Sequence, residues 1–184
     1  MTDNTGMEFV PTPPHTERER RFLVKDLSIL NGTTWNLLEQ AYVWSSGGYA
    51  IRVRRELEPR ADGEFRTVRA SLTAKGPRYG DQREEFETDV TAEYAGEVID
   101  RGDHVIRKKR HHFVDDQTWE IDVFLDANDG LVIAELEGEG IRSIPVPAWA
   151  WKEITSDTRF NNEELAVYPV SAWDADGDWR PLSK

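Results

Sequence analysis

The sequence predicts a β-dominated α+β domain whose sheet carries charged side chains on faces that converge. Three observations predict it. Short runs alternate charged with apolar or aromatic residues at a period of two, polar and Gly/Pro turns separate those runs, and few stretches show helical spacing. The first run, Glu17-Arg18-Glu19-Arg20-Arg21, leads straight into Phe22-Leu23-Val24. As a strand it places Glu17, Glu19 and Arg21 on one face and Arg18, Arg20 and Phe22 on the other. Two carboxylates and a fixed cation on one face can hold a hard divalent cation and a phosphate. Taken alone, the run reads better as a solvated edge strand of mixed charge.

The remaining elements follow in order. Met1 to Thr16 is polar, carries Pro11, Pro13 and Pro14, and reads as a mobile leader before a domain over residues 17–170. The first strand spans roughly Glu17 to Lys25. Leu27–Leu38 holds a turn at Asn31-Gly32 and a short helical piece. Glu39–Trp44 and Tyr49–Arg55 form strands around a Ser45-Ser46-Gly47-Gly48 hairpin turn. A polar turn at Pro59–Glu64 leads to a strand at Arg66–Lys75, and a Gly/Pro loop over Gly76–Asp81 leads to another at Arg83–Val90. Asp89 or Thr91 caps a helix over Ala92–Arg101, with Tyr94, Val98 and Ile99 at helical spacing.

Strands at Val105–Val114, Trp119–Phe124 and Leu131–Glu137 follow, divided by Asp115-Asp116 and Asn128-Asp129-Gly130. Pro145-Val146-Pro147 opens an irregular stretch, and Glu163–Val167 is a short helix stopped by Pro169. Residues 171–184 form an acidic tail. Its Asp174, Asp176 and Asp178 mimic the start of a calcium loop without the glycine and final glutamate that such a loop needs, so they read as an exposed acidic turn.

The mixed-charge pattern of the first strand recurs. Arg52 and Arg54 flank Val53, Glu85 and Glu87 flank Phe86, and Lys108 and Arg110 sit two apart. Glu120 and Asp122 alternate with Ile121 and Val123, and Glu135 and Glu137 bracket Leu136. Closed into a barrel, such faces would line an interior of paired charge. Unpaired buried charge is costly, so that interior needs mutual salt bridges, metal ions or a polyanionic ligand. The mostly apolar interior of a lipocalin-like barrel does not fit.

Composition narrows the function classes. A formal net charge of −12 argues against coating nucleic acid or an anionic membrane, while leaving room for a local basic pocket. Hydrophobic content of 38% with 7 Trp, 7 Phe and 5 Tyr belongs to a folded chain. The absence of cysteine rules out disulfides and thiolate metal sites. No stretch is apolar enough to span a bilayer, which leaves a cytoplasmic protein by default.

The ordered series of motifs resembles the CYTH superfamily, the triphosphate tunnel metalloenzymes, over roughly Glu17 to Tyr168. Glu17-Arg18-Glu19-Arg20-Arg21 is similar to the family's Glu-x-Glu-x-Lys strand, and Glu39-Gln40-Ala41-Tyr42 to its Gln-Gly-Tyr segment. Ile51-Arg52-Val53-Arg54, Leu72-Thr73-Ala74-Lys75-Gly76, Arg83-Glu84-Glu85-Phe86-Glu87, Ile106-Arg107-Lys108-Lys109-Arg110, Trp119-Glu120-Ile121-Asp122-Val123-Phe124 and Leu131–Glu137 continue the match. Glu153-Ile154-Thr155, Asp157, Arg159, Phe160 and Asn162 close it.

The resemblance implies a closed antiparallel β-barrel of about eight strands forming a charged tunnel, with a few flanking helices. It implies that Arg52, Arg54, Lys75, Arg83, Lys108 and Arg110 grip triphosphate oxygens. It further implies that Glu17, Glu19, Asp122, Glu135 and Glu137 hold one or two Mg²⁺ or Mn²⁺ ions. The substrate class would be tripolyphosphate, a nucleoside triphosphate or thiamine triphosphate, acted on by a monomer or homodimer.

Several residues keep plainer readings. Glu85 and Glu87 read as salt-bridge partners of the basic strands, and Glu153 as a ligand or a surface glutamate. His111 and His112 face opposite ways on a strand and receive no role, while Trp149 and Trp151 read as packing.

One position departs from the family. Arg21 stands where the resemblance expects a lysine that helps activate the attacking water. An arginine orients water or binds phosphate, but it does not give up its proton near neutral pH. Either Arg21 keeps a binding role while another group, with Tyr42 as the candidate, orients the water, or hydrolysis is weak. The leading reading is a metal-dependent triphosphatase. Adenylate cyclase chemistry and a non-catalytic polyphosphate- or nucleotide-binding module stay open beside it.

Overall fold

The structure, a computed structural model, describes residues 15–173 and Trp179. Among these residues nine strands build one antiparallel sheet: β1 (His15–Val24), β2 (Trp35–Ser46), β3 (Tyr49–Pro59), β4 (Phe65–Lys75), β5 (Gln82–Asp89), β6 (Val105–Val114), β7 (Thr118–Phe124), β8 (Val132–Glu137) and β9 (Ala150–Glu153). Their order is β5-β4-β3-β2-β6-β7-β8-β1-β9, and β1 also pairs with β5. That second pairing closes eight strands into a barrel and leaves β9 as an addition outside the ring. Two α-helices accompany it, α1 (Ala92–Arg101) and α2 (Asn162–Val167).

Closure depends on β1 serving three neighbours in turn. His15 to Arg18 pair with β5, Glu19 to Leu23 with β8, and Phe22 to Val24 with β9. Two expectations change here. Among the described residues the barrel already includes His15 and Thr16, which pair with Glu85 and Glu84 and so leave the leader. The irregular stretch after Pro147 also carries β9, a strand too short for its alternation to register in the sequence.

The β2–β3 hairpin turns tightly on Gly47 and Gly48, whose φ angles of 59° and 84° suit glycine. At α1 the cap is Thr91, whose hydroxyl accepts from the Tyr94 N–H at 3.2 Å, while Asp89 lies in β5. The acidic turn read at Asp174, Asp176 and Asp178 lies outside the described residues.

Apolar residues pack in three places around the charged interior. Outside the barrel, α1 covers Val53 and Ala70 through Ala95. On the opposite wall Phe22, Trp119, Ile121, Val132, Ala134 and Leu136 pack with Ile141 and Ala150. Trp149 meets Trp119 edge-on at 4.9 Å there, which bears out its packing role, while Trp151 stays exposed. The third cluster fills one end of the barrel. Leu23, Ile106, Phe124 and Ile133 meet Ile154, Phe160, Leu165 and Val170 of the segment that follows β9. No helix among the described residues is long and apolar enough to cross a membrane.

Leu165 is fully buried in this end cluster. Replacing it with alanine should cost about 2–5 kcal/mol of unfolding free energy, measured by urea denaturation. A loss below about 1 kcal/mol would mean that the segment does not seal the barrel.

Candidate active site

A cavity of about 280 Å³ runs into the barrel, lined almost wholly by charged side chains with cations and anions in equal number. The period of two puts them there. Glu17, Glu19 and Arg21 come from β1, Arg52 and Arg54 from β3, Lys75 from β4, and Arg83, Glu85 and Glu87 from β5. Arg110 of β6, Glu120 of β7 and Glu135 and Glu137 of β8 complete the ring, and Tyr42 of β2 reaches the same space.

Much of this charge is paired. Asp122, with no exposure, accepts from Arg110 Nε at 2.8 Å and Nη2 at 2.6 Å, and from Lys108 Nζ. Although burial opposes ionisation, Arg110 and Lys108 hold the Asp122 carboxyl well below its usual range. Arg110 Nη2 also donates to Glu135 at 2.7 Å, and Arg110 pairs with Glu120. Lys75 bridges Glu17 at 2.9 Å and Glu85 at 2.5 Å. Burial pushes the Glu85 carboxyl up, but Lys75 and Arg52 outweigh it and hold it down. Glu87 accepts from Thr73 at 2.7 Å and Arg69 at 2.6 Å and lies 3.8 Å from Arg52. The plain salt-bridge reading of Glu85 and Glu87 therefore agrees with their contacts.

Two regions remain unbalanced. At one, Glu19 sits directly opposite Glu137 in the β1–β8 register, and Glu120 opposite Glu135 in the β7–β8 register. Like charges placed so repel each other. Glu17, Glu19 and Glu137 each bring a carboxylate oxygen within 4.8 Å of the others, and Glu120, Glu135 and Glu137 do the same. Desolvation by the surrounding protein, then repulsion from Glu17, Glu135, Glu120 and Glu19, pushes the Glu137 carboxyl up to about 8. At the other, burial and the charges of Arg52 and Arg110 pull Arg54 down to about 10. Arg54 has only Gln40 Oε1, at 3.1 Å, as a hydrogen-bond acceptor among the described residues. All-oxygen donors in two overlapping triads suit one or two hard divalent cations.

The floor beneath is built by the segment around α2. Arg21 donates to the Phe160 carbonyl at 3.0 Å, the Thr155 carbonyl at 3.3 Å and Asn161 Oδ1 at 2.8 Å. Its guanidinium is thus tied to the chain that closes the barrel, while its Nε lies 3.3 Å from Glu19 Oε1 of the carboxylate cluster. Tyr42 accepts a hydrogen bond from Gln40 Nε2 at 3.0 Å, and burial, with Glu163 beside it, raises its hydroxyl well above the usual tyrosine range.

Not every expected residue reaches the cavity. Lys108 and Asp122, expected as phosphate grip and metal ligand, are sealed from solvent below the cavity wall and neutralise each other. Glu120, one pleat nearer the mouth than Asp122, joins the carboxylate cluster instead. Glu153 binds Arg20 at 2.8 Å and 2.9 Å on the outer face, and His111, on the face of β6 opposite Lys108 and Arg110, is buried against Thr33 while His112 is exposed. His15, Arg69, Arg78, Asn161, Asn162 and Glu163 also line the cavity. Sequence spacing gave Arg78 no signal, since it lies in the β4–β5 loop, whereas Arg69 extends the inward row of Ser71, Thr73 and Lys75.

An inorganic triphosphatase of Acetivibrio thermocellus is 31% identical over 157 residues, covering 83% of this chain and 94% of that protein. The chain belongs to the CYTH superfamily of triphosphate tunnel metalloenzymes. No family model matches it. A solved structure of the hypothetical protein NE1496 superposes with a TM-score of 0.58 at 25% identity, over 82% of this chain and 97% of that one. A structure of the inorganic triphosphatase NE1496 gives the same TM-score at 22% identity, over 82% and 94%, and speaks to the shared CYTH fold.

The pairing around Asp122 has a signature in acid. A carboxyl held below its unfolded value adds stability above about pH 4 that is lost as pH falls through the folded value. Asp122→Asn should therefore cost about 3–5 kcal/mol at neutral pH and make the acid loss of stability shallower. Denaturation at pH 7 and pH 3 checks both parts. The Glu137 carboxyl should titrate near 8 by carbon-detected NMR, and Glu17→Gln should lower that value. An ordinary glutamate titration would mean that solvent screens Glu137 from its neighbours.

Proposed function

We propose that this CYTH protein is a divalent-cation-dependent triphosphatase whose preferred substrate is inorganic tripolyphosphate. The observation that carries the proposal is one cavity holding a carboxylate cluster short of cations beside an arginine wall short of anions. A cation with a polyanion balances both at once. The relative from Acetivibrio thermocellus, an inorganic triphosphatase, supports the same chemistry.

Glu17, Glu19 and Glu137, with Glu120 and Glu135 beside them, would hold Mg²⁺ or Mn²⁺. Such an ion, when bound, supplies charge neutralisation to phosphoryl oxygens. Arg52, Arg54 and Arg83 would grip the phosphate chain, since their guanidinium forks suit phosphate oxygens and Arg83 Nη2 is a buried donor with no partner. Lys75 and Arg110 would also face the substrate while fixing Glu17, Glu85, Glu120 and Glu135 in place. Lys108 and Asp122 would act at one remove by orienting Arg110.

Arg21 would anchor the floor and present positive charge to the cavity without exchanging a proton. Tyr42, its proton held more tightly than usual, would donate or orient and would not act as a base. Phosphoryl transfer depends chiefly on positioning and charge stabilisation, and Arg21 would supply both in place of the family's lysine. The small cavity also supports an inorganic substrate: Tyr42 is the one Phe, Tyr or Trp among its described lining residues, which leaves little to stack a nucleobase.

Purified protein with Mg²⁺ or Mn²⁺ should release phosphate from tripolyphosphate faster than from ATP or thiamine triphosphate. Glu19→Ala should lower that rate by about 100-fold or more. Phosphate release no higher than that of the variant would overturn the proposal, and cyclic AMP formed from ATP would point to cyclase chemistry instead.

A further inference from the structure

The cavity's cations are unequally satisfied, and Arg78 stands apart. It sits in the loop between β4 and β5, between Pro77 and Tyr79, with Gly80 at φ 66°. The base of that loop is fixed. Gly76 N–H donates to the Glu84 carbonyl at 2.8 Å, Glu19 N–H donates to the Asp81 carbonyl at 2.9 Å, and Asp81 pairs with Arg142. The Arg78 side chain is 12% exposed, and its Nη2 donates to Glu19 Oε1 at 2.6 Å. Its Nε and Nη1 are buried and have no partner, and among the described residues Arg78 alone leaves two such nitrogens. Buried donors without acceptors are costly, so this arrangement favours any ligand that supplies acceptors.

The carboxylate that Arg78 holds belongs to the Glu17–Glu19–Glu137 cluster. Arg21 Nε lies 3.3 Å from the same Glu19 oxygen without a hydrogen bond, so Arg78 is the hydrogen-bond donor with which a divalent cation competes for Glu19. We infer that Arg78 is a cation-released substrate-binding residue, tied to Glu19 until a divalent ion takes that carboxylate and then free to grip the phosphate chain. This rests on the reading of the cavity as a triphosphate site. It makes cation and triphosphate bind cooperatively, because the ion liberates a donor that the anion uses. By linkage the coupling is reciprocal.

Calorimetry with Mn²⁺ alone, and with a methylene-bridged triphosphate analogue with and without Mn²⁺, tests the inference on wild type and Arg78→Gln. The variant should bind Mn²⁺ alone more tightly and bind the analogue in the presence of Mn²⁺ roughly tenfold to a hundredfold more weakly. Without Mn²⁺, analogue affinity should be unchanged. Equal affinities in both proteins, or a loss of Mn²⁺ and analogue binding together, would overturn it. If wild type fails to bind the analogue under any condition, the triphosphate reading of the cavity falls first. Hydrogen exchange on wild type gives a readout independent of the variant. Mn²⁺ should speed exchange in residues 76–81 and the analogue added with it should slow it again, while a loop indifferent to both would overturn the inference.

Discussion

Everything in this barrel depends on pairing charge inside it. Asp122 shows the principle at its most complete: a carboxylate with no exposure satisfied by Arg110 and Lys108. A buried ion pair of this kind is weak support for net stability, since desolvation offsets most of the attraction. Its effect is to fix Arg110 in one orientation, and Arg110 in turn fixes Glu120 and Glu135. The same logic runs through Lys75, which holds Glu17 and Glu85. Paired charges thus form the rigid frame of the cavity.

The site lies where pairing is incomplete: Arg110 serves Asp122, Glu120 and Glu135 together, Glu19 has Arg78, and Glu137 has no cation partner among the described residues. Glu19 opposite Glu137, and Glu120 opposite Glu135, place like charges across adjacent strands. Arg54, close to Arg52 and Arg110, has the reverse problem. A fold selected only for stability would soften both regions with neutral residues. Keeping them preserves an electrostatic field suited to a cation and a polyanion together. The apolar clusters carry the folding free energy around that field, with α1 and the Trp119–Trp149 layer outside and the α2 segment at one end.

Much of this was legible in the residues. Alternation, with the turn residues between runs, located the eight barrel strands, because a strand with one wet face and one packed face repeats every two residues. The inward row Glu17, Glu19 and Arg21 follows from that period, as do Arg52 with Arg54 and Glu135 with Glu137. β9 was not legible, since four residues beside Pro147 carry too little period. Nor was Arg78, because a loop side chain has no period. Lys108 and Asp122 have the right period and still lie outside the cavity, because alternation gives the face of a residue and not its depth along the barrel.

By itself, then, the sequence determined the strands, the signs of charge on each inner face and the oxygen-only chemistry open to a cation, all local properties of neighbouring residues. The tertiary structure decided which of those charges cancel. Register set Glu120 beside Glu135 and lowered Asp122 onto Lys108, closure through β1 and β5 brought Glu17 to Lys75, and the α2 segment claimed Arg21. Coulomb energy depends on distance through space, and distance between strands far apart in the chain exists only once the barrel has closed.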